Sequence, residues 1–252
     1  MKFNSEHCKL NTLSYYEAWL GKQGCLTSDR SNKLIYTTER NVAQLGYSNH
    51  MDIYVWVEPD CVVVSYGDAA KSKIHEIKNL NRNVFDIAET LSKLFNCQPT
   101  HAVKYFYQGS TLASKKDDVS AVTLTPHHYA DFEKFWLTLF PSNNIDWLQY
   151  YFDDMVKHGF CVGVYADEIL ASCADAATMP YMAEQLQEVG INTIEKYRGK
   201  GYAAIACQHA IKNILRSGRY PVWSHEYSNT ASQHIAEKIG FVKLADVLTL
   251  TL

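Results

Sequence analysis

With 252 residues, 47% of them hydrophobic and 13% aromatic, the chain has apolar matter for one large or two ordinary packed cores, which excludes a disordered protein. A formal net charge of −3 without any Lys/Arg-rich run argues against nucleic acid or an anionic membrane as partner. Seven cysteines, odd in number and with no C-x-x-C pair, fit neither a disulfide framework nor a zinc site, so no metal is expected and the thiols are expected reduced and mostly buried.

In chain order, the amino end carries no apolar core of signal-peptide length and no apolar run reaches the roughly 18 residues of a membrane span, so a cytoplasmic protein is expected. Leu13 to Leu20 predicts a short aromatic helix, and Ile53 to Val57 and Cys61 to Tyr66 predict two strands around the turn at Glu58-Pro59-Asp60. Val84, Ile87, Leu91 and Leu94 mark a helix and Ala102 to Tyr107 a strand. No chemical motif appears in this part, and its aromatic clusters read as core rather than as a ligand cage. The small, polar and charged segment from Gly109 to Asp118 is the expected boundary, giving a mixed α/β domain over 1–118 and a second domain over 119–252.

In the second part, Val119 to Leu124 predicts a strand, followed by Thr125 as N-cap and Pro126 at the first helical position. Two helices follow, one through Tyr129, Phe132, Trp136 and Leu139 and one through Ile145, Leu148, Phe152 and Met155. Phe160 to Tyr165 and Ile169 to Ala174 flank Asp167-Glu168 as a hairpin. The stretch from Glu188 to Cys207 then organises the rest. Val189, Ile191 and Ile194 suit a strand, Gly199 and Gly201 allow close backbone approach, and an amphipathic helix runs from about Gly201 to Ser217, closed by Gly218. The unpaired N–H groups at that helix start, with Arg198 and Lys200, make a site for a pyrophosphate, although a purely structural strand, turn and helix would look the same. The turn has neither the G-x-x-x-x-G-K-[ST] run nor the G-x-G-x-x-G order, which makes ATP and NAD poor candidates. Tyr220 to Tyr227 predicts a strand, Asn229 caps a helix through Ile239 that stops at Gly240, and Phe241 opens a closing strand through Leu250.

Arg198-Gly-Lys-Gly201-Tyr-Ala203 resembles the R/Q-x-x-G-x-G/A signature of the GNAT acyltransferase superfamily, and Asn229, Ser232 and Gly240-Phe241 resemble that superfamily's closing N-x-x-S and G-F unit. The resemblance covers 119–252 and implies a GNAT-type α/β fold, a mixed central sheet flanked by helices, preceded here by a smaller mixed α/β domain of the kind some members carry. It also implies acetyl-coenzyme A (acetyl-CoA) as co-substrate. The cofactor would be held by the backbone of Ile191, Asn192 and Thr193, by Arg198, Gly199, Lys200, Gly201, Tyr202 and Ala203, and by Asn229 and Ser232.

The implied chemistry is attack by a primary amine, of a small molecule or a protein, on the thioester in a ternary complex. Glu188 is the implied base, with a register uncertain by one residue, and His225 and Glu226 are rivals on the next strand. The superfamily's usual tyrosine acid falls at Ala236; Tyr227 or His234 would substitute, or the thiolate leaves unaided. Cys207 lies one apolar repeat into the helix, where a buried structural thiol is the better reading than a nucleophile. A non-catalytic acetyl-CoA-binding regulatory module is the alternative, and the first domain is expected to shape the acceptor site or a homodimer interface.

Overall fold

A computed structural model of the chain describes residues 3–77, 83–109, 120–176 and 178–252. The first half contributes α1 (Ser5–Leu20), β1 (Lys33–Tyr36), β2 (Ile53–Glu58), β3 (Cys61–Tyr66), α2 (Val84–Phe95) and β4 (Thr100–Tyr107). The second half contributes β5 (Ala121–Thr123), α3 (Tyr129–Leu139), α4 (Leu148–Lys157), β6 (Val162–Ala166), β7 (Ile169–Asp175), β8 (Leu186–Glu188), β9 (Gly190–Thr193), α5 (Tyr202–Arg216), β10 (Tyr220–Glu226), α6 (Thr230–Ile239) and β11 (Phe241–Leu250).

The fold is mixed α/β. One sheet of seven strands runs β1-β3-β2-β11-β4-β10-β8, and one of four runs β5-β6-β7-β9. The strand β4, from the first half, lies antiparallel between β10 and β11 from the second, with Trp223 opposite Tyr105 and Val247 opposite Ala102. The β2–β3 hairpin then adds to the far edge of β11. The expected division into 1–118 and 119–252 is therefore crossed by a shared sheet. The expected boundary segment itself lies, apart from Gly109, outside the described residues.

Alternation along β4 distributes its side chains between two cores. Val103, Tyr105 and Tyr107 join the core under α5 and α6 with Trp223, Ile211 and Ile239. Phe106 joins the opposite core, where Leu13, Tyr15, Tyr16, Trp19 and Leu20 of α1 pack on Val222 and Trp56. At roughly 1.5–3 kcal/mol for each large apolar side chain buried, this face ties α1 firmly to strands of both halves.

The helix α1 begins eight residues before the predicted start. Asn4 caps it, its Oδ1 accepting the N–H groups of Glu6 and His7 at 2.9 and 3.1 Å. Its buried set includes polar Thr12 and Glu17, so the apolar positions never form the single stripe that marks an amphipathic helix in sequence. The predicted central strand from Glu188 is two strands, β8 and β9, broken at Val189, and that break makes the site.

Candidate functional site

The strand β8 runs parallel to β10, with Glu188 opposite Val222, and the Val189 N–H donates to the Val222 carbonyl at 3.0 Å. One residue later the chain leaves that sheet, and β9 pairs antiparallel with β7 instead, from Gly190 opposite Asp175 to Thr193 opposite Ser172. Gly190 permits the switch: a Cβ there would sit 2.0 Å from Asp175 Oδ1, so no larger residue fits between the strands as they stand. Because β9 is an edge strand and β10 has lost β8 as a neighbour beyond Val222, two free strand edges diverge. The wedge between them is a cavity of about 600 Å³.

The cavity brings together most of the residues expected to hold a cofactor. Ile191, Asn192 and Thr193 form one wall, with Trp223, Ser224 and His225 opposite. Arg198, Gly199, Gly201, Tyr202 and Ala203 line one end, and Asn229 and Ser232 a side. A single turn of tight helix from Glu195 to Tyr197 leads from β9 into this end. Gly199 and Gly201 take φ of 73° and 85°, the left-handed region where a side chain is strained, and this backbone turns the chain into α5. Gly201 is the N-cap of α5 and offers no side-chain cap, so the first-turn N–H groups have no capping side chain and the positive end of the helix dipole lies at the cavity. Arg198 is exposed and its Nε donates to the Thr193 carbonyl at 3.3 Å, while Lys200, also exposed, is not among the lining residues and holds its Nζ 5.1 Å from the Tyr197 ring. Asn229 caps α6 through the Ser232 N–H at 3.0 Å, and the Ser232 hydroxyl accepts from Trp223 Nε1 at 3.1 Å.

The catalytic candidates separate. Glu188 is half-buried on the α1 side of the sheet, and the hydroxyl of Ser224, which lines the cavity, donates to its Oε1. His225 lines the cavity from the other face, but both its nitrogens are engaged: Nδ1 donates to the Glu226 carbonyl at 2.7 Å, which leaves Nε2 to accept from the Tyr105 hydroxyl at 3.1 Å. Tyr227 is not brought to the cavity; it is 48% exposed and stacks on His101 with centroids 4.3 Å apart. Glu226 and His234 are exposed and outside the lining, and Ala236 is fully buried. Cys207 is fully buried, and burial pushes its thiol well above the ordinary range, as suits a structural thiol.

Several site residues were not singled out from the sequence. Ser224 is one, and Lys104 of β4, opposite Ser224 in register, is another. Burial lowers the Lys104 ammonium and the Glu188 carboxylate raises it. The same carboxylate, secondary to burial, raises Tyr15 of α1 and Tyr47, the latter up to about 12. Tyr15, Tyr16, Tyr47 and Tyr54 of the first half thus lie in the field of Glu188. Asp175, opposite Gly190, is a buried carboxyl, pushed up to about 6 by desolvation, with the nearby Tyr151 hydroxyl lowering it in part. Lys104 had a legible signal, a lone charge within the apolar run from Ala102 to Tyr107.

Residues 133–246 match the family model described as GNAT acetyltransferase. That match places a GNAT acetyltransferase domain at residues 133–246, within the second half. An uncharacterized N-acetyltransferase of Bacillus subtilis, YdfB, is 24% identical over 159 residues, which are 62% of this chain and 54% of that protein. The chain thus spans about half the length of the curated relative it matches. Among solved structures, an acetyltransferase of the GNAT family from Colwellia psychrerythraea is similar at a TM-score of 0.50 and 16% identity, covering 64% of this chain and 60% of that one. A second, from Novosphingobium aromaticivorans, aligns at 0.47 and 22% over 60% and 64%. Among the described residues no helix is long and apolar enough to cross a membrane, and no group of three or more His, Cys, Asp or Glu is placed to hold a metal.

Proposed function

We propose that the protein transfers the acetyl group of acetyl-CoA to a primary amine by direct attack in a ternary complex. The observation that carries this reading is the wedge between β9 and β10, with the glycine turn of α5 at one end and the Ser224–Glu188 pair beside it. Pantetheine would lie against the free edge of β9 as an added strand, its polar groups meeting the backbone of Ile191 to Thr193. The pyrophosphate would lie over the amino end of α5, where Arg198 and Lys200 add positive charge. A β9 backbone N–H would polarise the thioester carbonyl.

Glu188 would take the proton of the acceptor ammonium, its carboxylate oriented by the Ser224 hydroxyl. The freed nitrogen lone pair attacks the carbonyl carbon, an N–C bond forms, the C–S bond breaks, sulfur leaves with its electron pair, and the second proton of the now cationic nitrogen passes to that thiolate, giving the amide and the free thiol. His225, with both nitrogens engaged, holds Tyr105 rather than a substrate proton. No hydroxyl stands at Ala236, and a thiol with a pKa of about 8.5 needs little help to leave.

The test is calorimetric titration with acetyl-CoA followed by free-thiol release against amines, amino acids and peptides. Saturable binding with acceptor-dependent release supports the reading; no binding at millimolar cofactor overturns it. Binding without release for any acceptor favours a regulatory acetyl-CoA-binding module, the reading that buried Ala236 in the usual acid position motivates.

A further inference from the structure

The face of the seven-stranded sheet that carries Glu188 also carries Lys104. Glu188 is opposite Val222 on β10, Ser224 lies two residues on and so on the same face, and Lys104 is opposite Ser224 on β4. A carboxylate and an ammonium thus stand side by side across three strands with a hydroxyl between them. Among the described residues neither charge has an ion-pair partner: no cation lies within 4.0 Å of the Glu188 carboxylate and no carboxylate within 4.0 Å of Lys104. The Lys104 Nζ rests instead 5.8 Å from the Tyr16 ring, and Lys9 of α1 lies 5.9 Å from the ring of Phe106, two residues further along β4.

Both groups are half-buried, and Tyr47, which feels the Glu188 charge, is 41% exposed. The other cation nearby, Arg40, is sealed in at 1% exposure, 5.5 Å from each of the Trp19 and Tyr54 rings. Of the half-buried cations on this face, Lys104 is the one opposite Ser224, the residue bonded to Glu188. A partly desolvated charge without a counter-ion is costly, and a ligand bearing the opposite charge in the right place relieves that cost.

Resting on the acetyl-transfer reading above, we propose that the acceptor is a small zwitterion, an α- or β-amino acid, whose carboxylate is taken by Lys104 while its amine faces Glu188. The short span from an amino acid's ammonium to its carboxylate suits two opposite charges held on one sheet face by the strands on either side of β10. Ser224, which touches both Glu188 and the cofactor cavity, joins this subsite to the wedge where the thioester would lie. A polyamine or aminoglycoside would bring further positive charge against Lys104 and Lys9, which disfavours those acceptors.

The experiment compares matched acceptors, L-alanine with ethylamine and L-phenylalanine with phenethylamine, in thiol release and in calorimetric binding to the protein saturated with coenzyme A. The amino acid of each pair should exceed its amine in kcat/KM and in affinity by about 10- to 100-fold, the range of a charge-assisted contact in a partly desolvated site. Lys104→Met, which keeps length and removes the charge, should bring the ratio close to one, and Lys104→Arg should retain most of it; unchanged melting and coenzyme A affinity would show that both variants fold. Amines turned over as well as amino acids, or a ratio unmoved by Lys104→Met, would overturn the proposal and leave acetyl transfer standing. Amino acids that bind through Lys104 without thiol release would keep the subsite and remove the catalytic reading. Amino acids that neither bind nor react would overturn it.

Discussion

Gly190→Ala tests whether the wedge exists because a glycine lets β9 cross to β7. The added Cβ would lie 2.0 Å from Asp175 Oδ1 and 3.1 Å from its Cγ, the first about 1.4 Å short of the 3.4 Å where ordinary contact begins. The neighbour is a carboxyl at 9% exposure, so it has little free space to swing into. Either β9 withdraws from β7 or the carboxyl is displaced, and overpacking of this kind costs about 1–3 kcal/mol. A withdrawn β9 moves the wall formed by Ile191 to Thr193, so acetyl-CoA affinity should fall about tenfold or more. Asp175→Ala removes the obstruction, so the double variant should recover about 1–2 kcal/mol beyond the sum of the single effects, as expected for side chains in direct contact. Urea unfolding and acetyl-CoA calorimetry on wild type, both single variants and the double variant complete the cycle. Gly199→Ala is the control, since nothing lies within 4 Å of its Cβ and only the φ of 73° penalises it. Strict additivity in the Gly190/Asp175 cycle, or unchanged cofactor affinity in Gly190→Ala, would refute the argument.

Asp175 has a folded-state pKa raised to about 6 from 3.8, so its protonated form is favoured by folding: the associated stability is present below about pH 4 and is lost as pH rises through 6. Asp175→Asn should therefore gain stability relative to wild type across that window, by a few kcal/mol at most, and parallel urea midpoints from pH 4 to 7 would contradict this. Glu188→Gln keeps an acceptor for the Ser224 hydroxyl but takes no proton, so turnover should fall about 10²-fold at neutral pH with cofactor affinity nearly constant, and the loss should shrink as the acceptor deprotonates at higher pH. Residues 119–252 alone should fail to melt cooperatively, because β10 and β11 then lack the strand between them; a sharp thermal transition in that fragment would refute the shared sheet.

The second half was largely legible from residues. Gly199 and Gly201 announced the turn, Asn229 the cap of α6, and Gly240, with φ of 103°, its end, because each meets a local backbone demand that few residue types satisfy. What was hidden depends on pairing between distant segments. Periodicity marks the residues from Ala102 to Tyr107 as a strand, but nothing within it says that its neighbours lie more than a hundred residues downstream. The break at Val189 was equally hidden, since Gly190 reads as an ordinary glycine until Asp175 is seen against it. The tyrosines of α1 read as core and are buried; what composition cannot convey is that the Glu188 charge lies near them.

The placement of β4 explains why a first half without a chemical motif belongs to the site. A strand between β10 and β11 presents alternate side chains to the two faces of the sheet, and here each face carries a different task. On one face the Tyr105 hydroxyl occupies Nε2 of His225, which lines the wedge between β9 and β10, and so leaves that imidazole without a free nitrogen. On the other face the next residue back, Lys104, stands beside Ser224 and in the field of Glu188. Two consecutive residues of the first half therefore bear on the base candidates of the second from opposite sides. A register slip of one residue in β4 would exchange them, taking the hydroxyl from His225 and the ammonium from the Glu188 side together. Under the proposed acetyl transfer the first half would act on the chemistry through the register of this strand, which the long pairing of β4 with β11, from Phe241 opposite Tyr107 to Thr249 opposite Thr100, holds in place.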